Sequence, residues 1–306
     1  MKKFYNNAGI LSANELMDPK VDIAFKYVFG NPQHPEITIS LLNAVLDLPD
    51  DKKITKVQIL NPDLNPRFKD DKFAILDIKA NANDNTIIDI EMQVANRKDM
   101  IPRTLVYLAR MVDEQIGRSD KYDKLQRTIC INFLDFNLLE NQEVHNIFNF
   151  KNQKNEKLTD LEEIHFVELK KLDKYGIINK DMLENWIKFL NNPKSEEVAM
   201  LVGEYTEFKE AKKLLSFFNL PKKIKEHYDI RNQIRQEKKS LLEGAREEGI
   251  AIGEKLGEAK GRSEGRSEGI YTQAVESAKI LKSKGMDADF IQQVTGLSIN
   301  EINNLK

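Results

Sequence analysis

Two runs that mix apolar and charged residues, FAILDIKA over 73–80 and TIIDIEMQV over 86–94, are separated only by the segment NANDN. Side chains alternate across a strand with a period of two. On the first run Ile75, Asp77 and Lys79 therefore share one face, and Ala74, Leu76 and Ile78 share the other. On the second run Asp89, Glu91 and Gln93 lie opposite Ile88, Ile90, Met92 and Val94. For both apolar sets to look into one core, the connecting turn must hold an odd number of residues. A loop of Asn83, Asp84 and Asn85 sets Asp77 across from Glu91 and Lys79 across from Asp89. A two-residue turn sends Asp77 and Glu91 to opposite faces. Asn and Asp tolerate the positive φ that so tight a loop requires.

Carboxylates directly across neighbouring strands have Cβ atoms about 4.5–5.5 Å apart and repel one another. A divalent cation resolves the repulsion, and hard oxygen donors completed by water and phosphate suit Mg²⁺. The competing reading is the solvent face of a half-exposed sheet, with Lys79 as local compensation.

The flanking sequence supplies a frame for this hairpin. Asp18-Pro19 is a helix start that leads into VDIAFKYVFG and a stop at Gly30. A second helix is expected from about Pro35 to Leu46, then a strand in ITKVQIL before the hairpin. A helix from about Asp99 to Gln115 carries Leu105, Leu108, Val112 and Ile116 as its apolar stripe and ends at Gly117. RTICINFLDF reads as a strand buried on both faces. EVHNIFNF and EEIHFVEL read as a further strand pair, and from about Asp181 the chain is helical, with Trp186, Phe189, Leu201, Phe217 and Phe218 as core. This order predicts an α/β fold, a mixed sheet flanked by helices.

Seven of the fourteen glycines lie between Gly244 and Gly269, six of them recurring every fourth residue from Gly249. Each costs about 1 kcal/mol against alanine inside a helix, so a stable lone helix is not expected. Two readings stand: a close helix–helix contact of the small-xxx-small kind, or a flexible linker built on the repeat GRSEGRSEG. Beyond it, TQAVESAKILKSKG, DADFIQQV and TGLSINEINNL give short helices, the last opened by a Ser298–Glu301 capping box. They resemble a helix-turn-helix, but the third carries no arginine, so packing or oligomerisation is expected rather than base reading. The chain thus divides into a core over 1–170, a helical extension over 171–240, a repeat helix or linker over 241–270 and a small helical module over 271–306.

Several chemistries find no support. The single cysteine, Cys130, rules out an internal disulfide and fits a reducing, cytoplasmic compartment. No apolar run is long enough for a membrane span, and the opening MKKFYNNAGILSANELMDP is not an export signal. His34, His145, His165 and His227 show no zinc spacing, and no glycine-rich phosphate loop follows a strand. A net charge of −2 does not advertise a polyanion partner. The lysines and arginines between Lys209 and Lys239 are interrupted by acids, so they read as a solvated helix face before they read as a phosphate-binding stripe.

Three segments together, DPKVDIAFKYVFG, ILDIKANANDNTIIDIEMQV and IPRTLVYLARMVDEQIGRSDKYDKLQRTICINFLDF, closely resemble the PD-(D/E)XK nuclease family transposases, or recombination-promoting nucleases. The resemblance is good from Met17 to Asp135 and looser through the helical region, and the Glu/Gly-rich tail and closing TGLS helix are also similar to members of that family. It implies a restriction-endonuclease-like core and metal-dependent cleavage of DNA. Asp77 and Glu91 match the family's metal-binding acids, and the Met92 backbone carbonyl matches its third protein ligand. Asp22 either reaches the same metal or is an exposed helix acid. Gln93 stands where the superfamily motif has lysine, so Lys79 either delivers the missing charge or simply pairs with Asp89. Arg103, at the start of the crossing helix, either meets a phosphate or is a surface residue. The expected chemistry is in-line phosphodiester hydrolysis assisted by Mg²⁺ or Mn²⁺, with Lys79, Gln93 or Arg103 steadying developing charge. A homo-oligomer assembled through the C-terminal helical tail is expected. The alternative is a catalytically weak, oligomeric DNA-binding or scaffold protein on the same fold.

Overall fold

The computed structural model describes residues 16–64, 74–96, 98–176 and 181–305; the opening segment 1–15 and Phe73 lie outside them. The chain divides into two compact units, Met1–Arg235 and Gln236–Lys306.

In the first unit the chain runs α1 (Asp22–Phe29), α2 (Pro35–Leu46), β1 (Val57–Leu60), β2 (Asp63–Leu64), β3 (Ala74–Ile75), β4 (Ile78–Ala82) and β5 (Ile87–Gln93). It continues through α3 (Met100–Asp113), β6 (Thr128–Leu134), β7 (His145–Phe148) and β8 (Glu162–Glu168). Four helices follow, α4 (Leu169–Tyr175), α5 (Asp181–Asn191), α6 (Glu196–Glu204) and α7 (Thr206–Leu215). A long helix α8 (Lys222–Ser283) begins in this unit. The main sheet has the order β1-β4-β5-β6-β8-β7. Its β1-β4-β5 meander is antiparallel, β5-β6-β8 is parallel, and β7 returns antiparallel to β8. Every residue of β6 is buried, as a central parallel strand covered on both faces requires.

Alternation along the strands divides the sheet into two surfaces. Ile78, Ile88, Ile90, Met92, Ile129, Ile131 and Phe133 join a large core built with α1, α2 and α5–α7. Its centre is aromatic: Trp186 stacks on Phe208 at 4.0 Å and meets Phe29 edge-on at 5.4 Å. The opposite surface carries Asp89, Glu91, Cys130 and Asn132 and is covered by α3, whose Leu108 and Met111 pack with Leu76 and Cys130.

Four local expectations are corrected. First, Asp18 does not cap α1: its side chain accepts from the Lys20 N–H at 2.9 Å in a turn, and the helix begins at Asp22. Second, FAILDIKA is two strands, because the chain bends between Ile75 and Ile78, so Leu76 and Ile78 enter different cores. Third, α3 buries Met100, Thr104, Leu108 and Met111, leaving Leu105 half exposed. Thr104 packs there over the buried Asn132 of the sheet below: its hydroxyl lies 3.0 Å from the Met100 carbonyl and 3.2 Å from the Asn132 amide oxygen. Fourth, Phe217 is buried but Phe218 is 79% exposed.

In the second unit α8 continues, followed by α9 (Ala288–Thr295) and α10 (Ile299–Asn304). Ala278, Ile291, Leu297 and Ile302 form a small core. The turns rest on Gly285 and Gly296, at φ +76° and +74°, where other residues are strained. The Ser298–Glu301 capping box opens α10, and the Lys282 ammonium closes it by donating to the carbonyls of Ile302, Asn303 and Leu305. The glycines from Gly249 to Gly269 lie within α8, and a methyl group added at any of them meets nothing within 4 Å.

Candidate metal centre

The site is built where the β4–β5 hairpin splays. The hairpin turns through Asn83, Asp84 and Asn85: the Ala82 N–H donates to the Thr86 carbonyl at 2.9 Å, and Asn85 takes φ +64°. This three-residue loop sets Ile78 against Ile90 and Lys79 against Asp89. One step further the chain bends at Asp77, opposite Glu91, and carboxylates replace the backbone ladder. The Asp77 N–H donates to Glu91 Oε1 at 2.9 Å, and the Met92 N–H donates to Asp77 Oδ2 at 3.0 Å. The remaining oxygens are also held: Gln93 Nε2 donates to Glu91 Oε2 at 2.9 Å, and Lys26 Nζ lies 3.0 Å from Asp77 Oδ1. The two acids thus converge, and each oxygen keeps a further lone pair for a ligand.

The surroundings make this cluster electrostatically expensive. Glu91 is 3% exposed and Asp89, two residues earlier on the same face, is 1% exposed. Burial, and next the charge of Asp77, push the Glu91 carboxyl up to about 8. Burial, then Glu91 and Asp77, push Asp89 well above the carboxylate range. The Arg103 guanidinium on α3 opposes both shifts. Among the described residues, Asp89 Oδ1 and Arg103 Nε are buried and find no hydrogen-bond partner. The competing reading of a solvent-exposed face does not hold at Asp89 and Glu91, both of which are buried.

Strand geometry also orients Met92. The Ile87 N–H and Gln93 carbonyl bond toward the β6 side, to Arg127 and Asp135. N–H and C=O groups alternate sides along a strand, so those of Met92 point toward β4 and Asp77. Two carboxylates and a carbonyl are hard oxygen donors that fit a divalent cation retaining several waters. Among the described residues no group of three or more His, Cys, Asp or Glu side chains is placed to hold a metal ion.

The other sequence-predicted residues are distributed as follows. Gln93 is bonded to Glu91. Lys79 is drawn away to Glu114 at the end of α3, at 2.8 Å, so its charge goes neither to the acid pair nor to Asp89. Asp22 accepts from the Ile23 N–H at 2.8 Å and lies 3.7 Å from Arg231 of α8. Arg103 is part-buried near the acids, with its Nη2 on Met100 Sδ, and is not a plain surface residue. Lys213, Lys222, Arg231, Arg235 and Lys239 of the basic region are all paired with acids. Lys26 was not foreseen, because helix periodicity carries no mark of which strand a side chain reaches. Asp89 was visible as part of the polar stripe, but its burial was not, since that depends on α3.

A mixed six-strand sheet flanked by helices, with an acid pair at a splayed hairpin, is consistent with a restriction-endonuclease-like PD-(D/E)XK fold. The profile of the PD-(D/E)XK nuclease family transposases matches residues 19–245, and the chain belongs to that family. No curated protein and no solved structure matches the chain. The family match covers the whole sheet and the helices that pack on it, and stops within α8. Among the described residues no helix is long and apolar enough to cross a membrane.

Proposed function

We propose that the chain is a metal-dependent endodeoxyribonuclease that hydrolyses phosphodiester bonds, with Asp77, Glu91 and the Met92 carbonyl holding a divalent cation, Mg²⁺ or Mn²⁺. The observation that carries this reading is the cross-bonded acid pair, Glu91 buried and Asp77 part-buried, whose crowded negative charge favours either a proton on Glu91 or a bound cation. When bound, the cation supplies Lewis acidity toward water and phosphate. The chain's own groups do the rest. The Asp77 and Met92 amides hold the two carboxylates in place. Gln93, tied to Glu91 through its NH₂ group, keeps its side-chain carbonyl oxygen to accept a hydrogen bond from, and so aim, an attacking water. Arg103 brings positive charge to the α3 side, where it steadies charge on the phosphoryl oxygens. Lys79, committed to Glu114, and Asp22, committed to Arg231, take no part in this reading.

Residues 1–170 would form the nuclease core, 171–240 its helical extension, 241–270 a repeat helix and 271–306 an assembly module. A homo-oligomer through the tail is supported by the exposed Leu241, Ile252, Leu256 and Ile270, which fall within an arc of roughly 60° on an α-helix. A buried lone cysteine fits a reducing cytoplasm. Recombination, mobile-element biology or phage defence would each employ such an enzyme.

A second reading, a catalytically weak DNA-binding or scaffold protein, is favoured by one observation: all four carboxylate oxygens have protein donors. Nicking of supercoiled plasmid separates the two. Cleavage is expected with Mg²⁺ or Mn²⁺ and not with EDTA, and Asp77→Ala or Glu91→Ala should abolish it while leaving the melting curve cooperative. Undiminished cleavage by either variant would refute the acid pair as the metal centre.

A further inference from the structure

Charge counting at the site leaves a gap. Two carboxylates cancel one divalent cation, so a bound phosphodiester and the hydroxide that attacks it must draw compensation from the side chains around them, and Arg103 offers it from the α3 side only. Gln93 is neutral, Lys79 is held by Glu114, and Arg103 sits on the α3 side near Asp89 and Glu91. The ammonium that touches the acid pair is Lys26, 3.0 Å from Asp77 Oδ1, on a side chain 36% exposed. Its approach is structurally prepared. One turn beyond Lys26, α1 ends at Gly30, where a Cβ would lie 2.8 Å from the Lys26 carbonyl and 3.3 Å from Ile78 Cγ1. That close passage brings the end of α1 against the residue next to Asp77.

We propose that Lys26 is the phosphate-facing cation of the site: it neutralises Asp77 while no divalent ion is bound, and turns to the scissile phosphate when the ion takes Asp77. The ammonium acts as a charge throughout and exchanges no proton. The inference rests on the metal-dependent nuclease reading above.

The test uses the full-length protein with Lys26→Met, Lys26→Arg and Glu91→Ala, measuring Mn²⁺ affinity by calorimetry and single-turnover plasmid nicking at saturating Mn²⁺. Lys26→Met is expected to bind Mn²⁺ as tightly as wild type or more tightly, because a competing cation is gone, while nicking slows about 100-fold. Lys26→Arg, which keeps charge and packing, is expected to retain most of the rate. Nicking by Lys26→Met within threefold of wild type would overturn the proposal. So would a loss of Mn²⁺ affinity in Lys26→Met that matches the loss of rate, since Lys26 would then only support the acids. If Lys26→Met does not fold, Lys26→Arg decides, and a slowing of about 100-fold in a variant that retains the charge would overturn the proposal. Persistent nicking by Glu91→Ala marks failure of the metal-centre reading itself, apart from the role of Lys26.

Discussion

Glu91 sits in an environment far from its ordinary chemistry. Its carboxyl titrates near 8 rather than 4.5, so the folded state holds a proton that the unfolded state has released. Stability from this group is therefore fully present below about pH 4.5 and is lost as pH rises through about 8, an effect of a few kcal/mol. In EDTA the melting temperature is expected to fall between pH 5 and 8.5, and Glu91→Gln should make that slope shallower; an unchanged slope would count against the burial argument. Asp89, raised in the same direction, supplies the remainder. On the metal-centre reading a cation competes with the Glu91 proton, so the Mn²⁺ dissociation constant should fall about tenfold for each unit that pH rises toward 8. Which acids would converge was legible from Asp77 and Glu91 alone, because alternation and an odd loop leave a single register. Their electrostatics were not legible, since burial comes from α3, more than five residues beyond Gln93 in the chain.

At the scale of elements, the hairpin and α3 show where pattern reading holds and where it slips. The loop at Asn83–Asn85 is decided by parity, so deleting Asp84 should reverse the facing of one strand and leave no cooperative melting transition. Asn85→Val, at φ +64°, is expected to cost about 1–2 kcal/mol in denaturant unfolding. In α3 the apolar periodicity pointed to Leu105 as core, yet that position faces outward while its neighbour Thr104 is buried over Asn132. Leu108→Ala should then cost about 3 kcal/mol, and Leu105→Ala much less. The bend at Asp77 escaped the pattern for a related reason: the carboxylates themselves satisfy the amides that a continuous ladder would have used. A second buried pair, Glu168 and Lys171 at 2.8 Å, joins β8 to α4, and Glu168 also accepts from the Leu138 and Leu139 amides. Lys171→Met is expected to lower stability by about 3 kcal/mol, because it strands a charge in the interior.

At the scale of the whole molecule, the glycine repeat takes on a different meaning from the one its spacing suggests. Four residues advance about 40° beyond a full helical turn, so from Gly249 to Gly269 the glycines wind halfway round α8 and cannot form one straight seam. Among the exposed apolar side chains of α8, Leu241, Ile252, Leu256 and Ile270 keep to one side, while Ile250 lies opposite Leu241. Leu256→Asp should therefore reduce the assembly mass measured by light scattering, whereas replacing the six glycines with alanine should raise helicity and leave that mass unchanged; the reverse outcome would assign assembly to the glycines. The splayed end of the hairpin carries one more consequence. There the strands are joined through side-chain oxygens instead of peptide carbonyls, so whatever ion settles among those oxygens also acts as a rivet for the sheet. Stripping it away should quicken deuterium uptake at the Asp77 and Met92 amides ahead of the amides deeper in β4 and β5, so that loss of chemistry and loosening of the scaffold begin at the same two peptide groups.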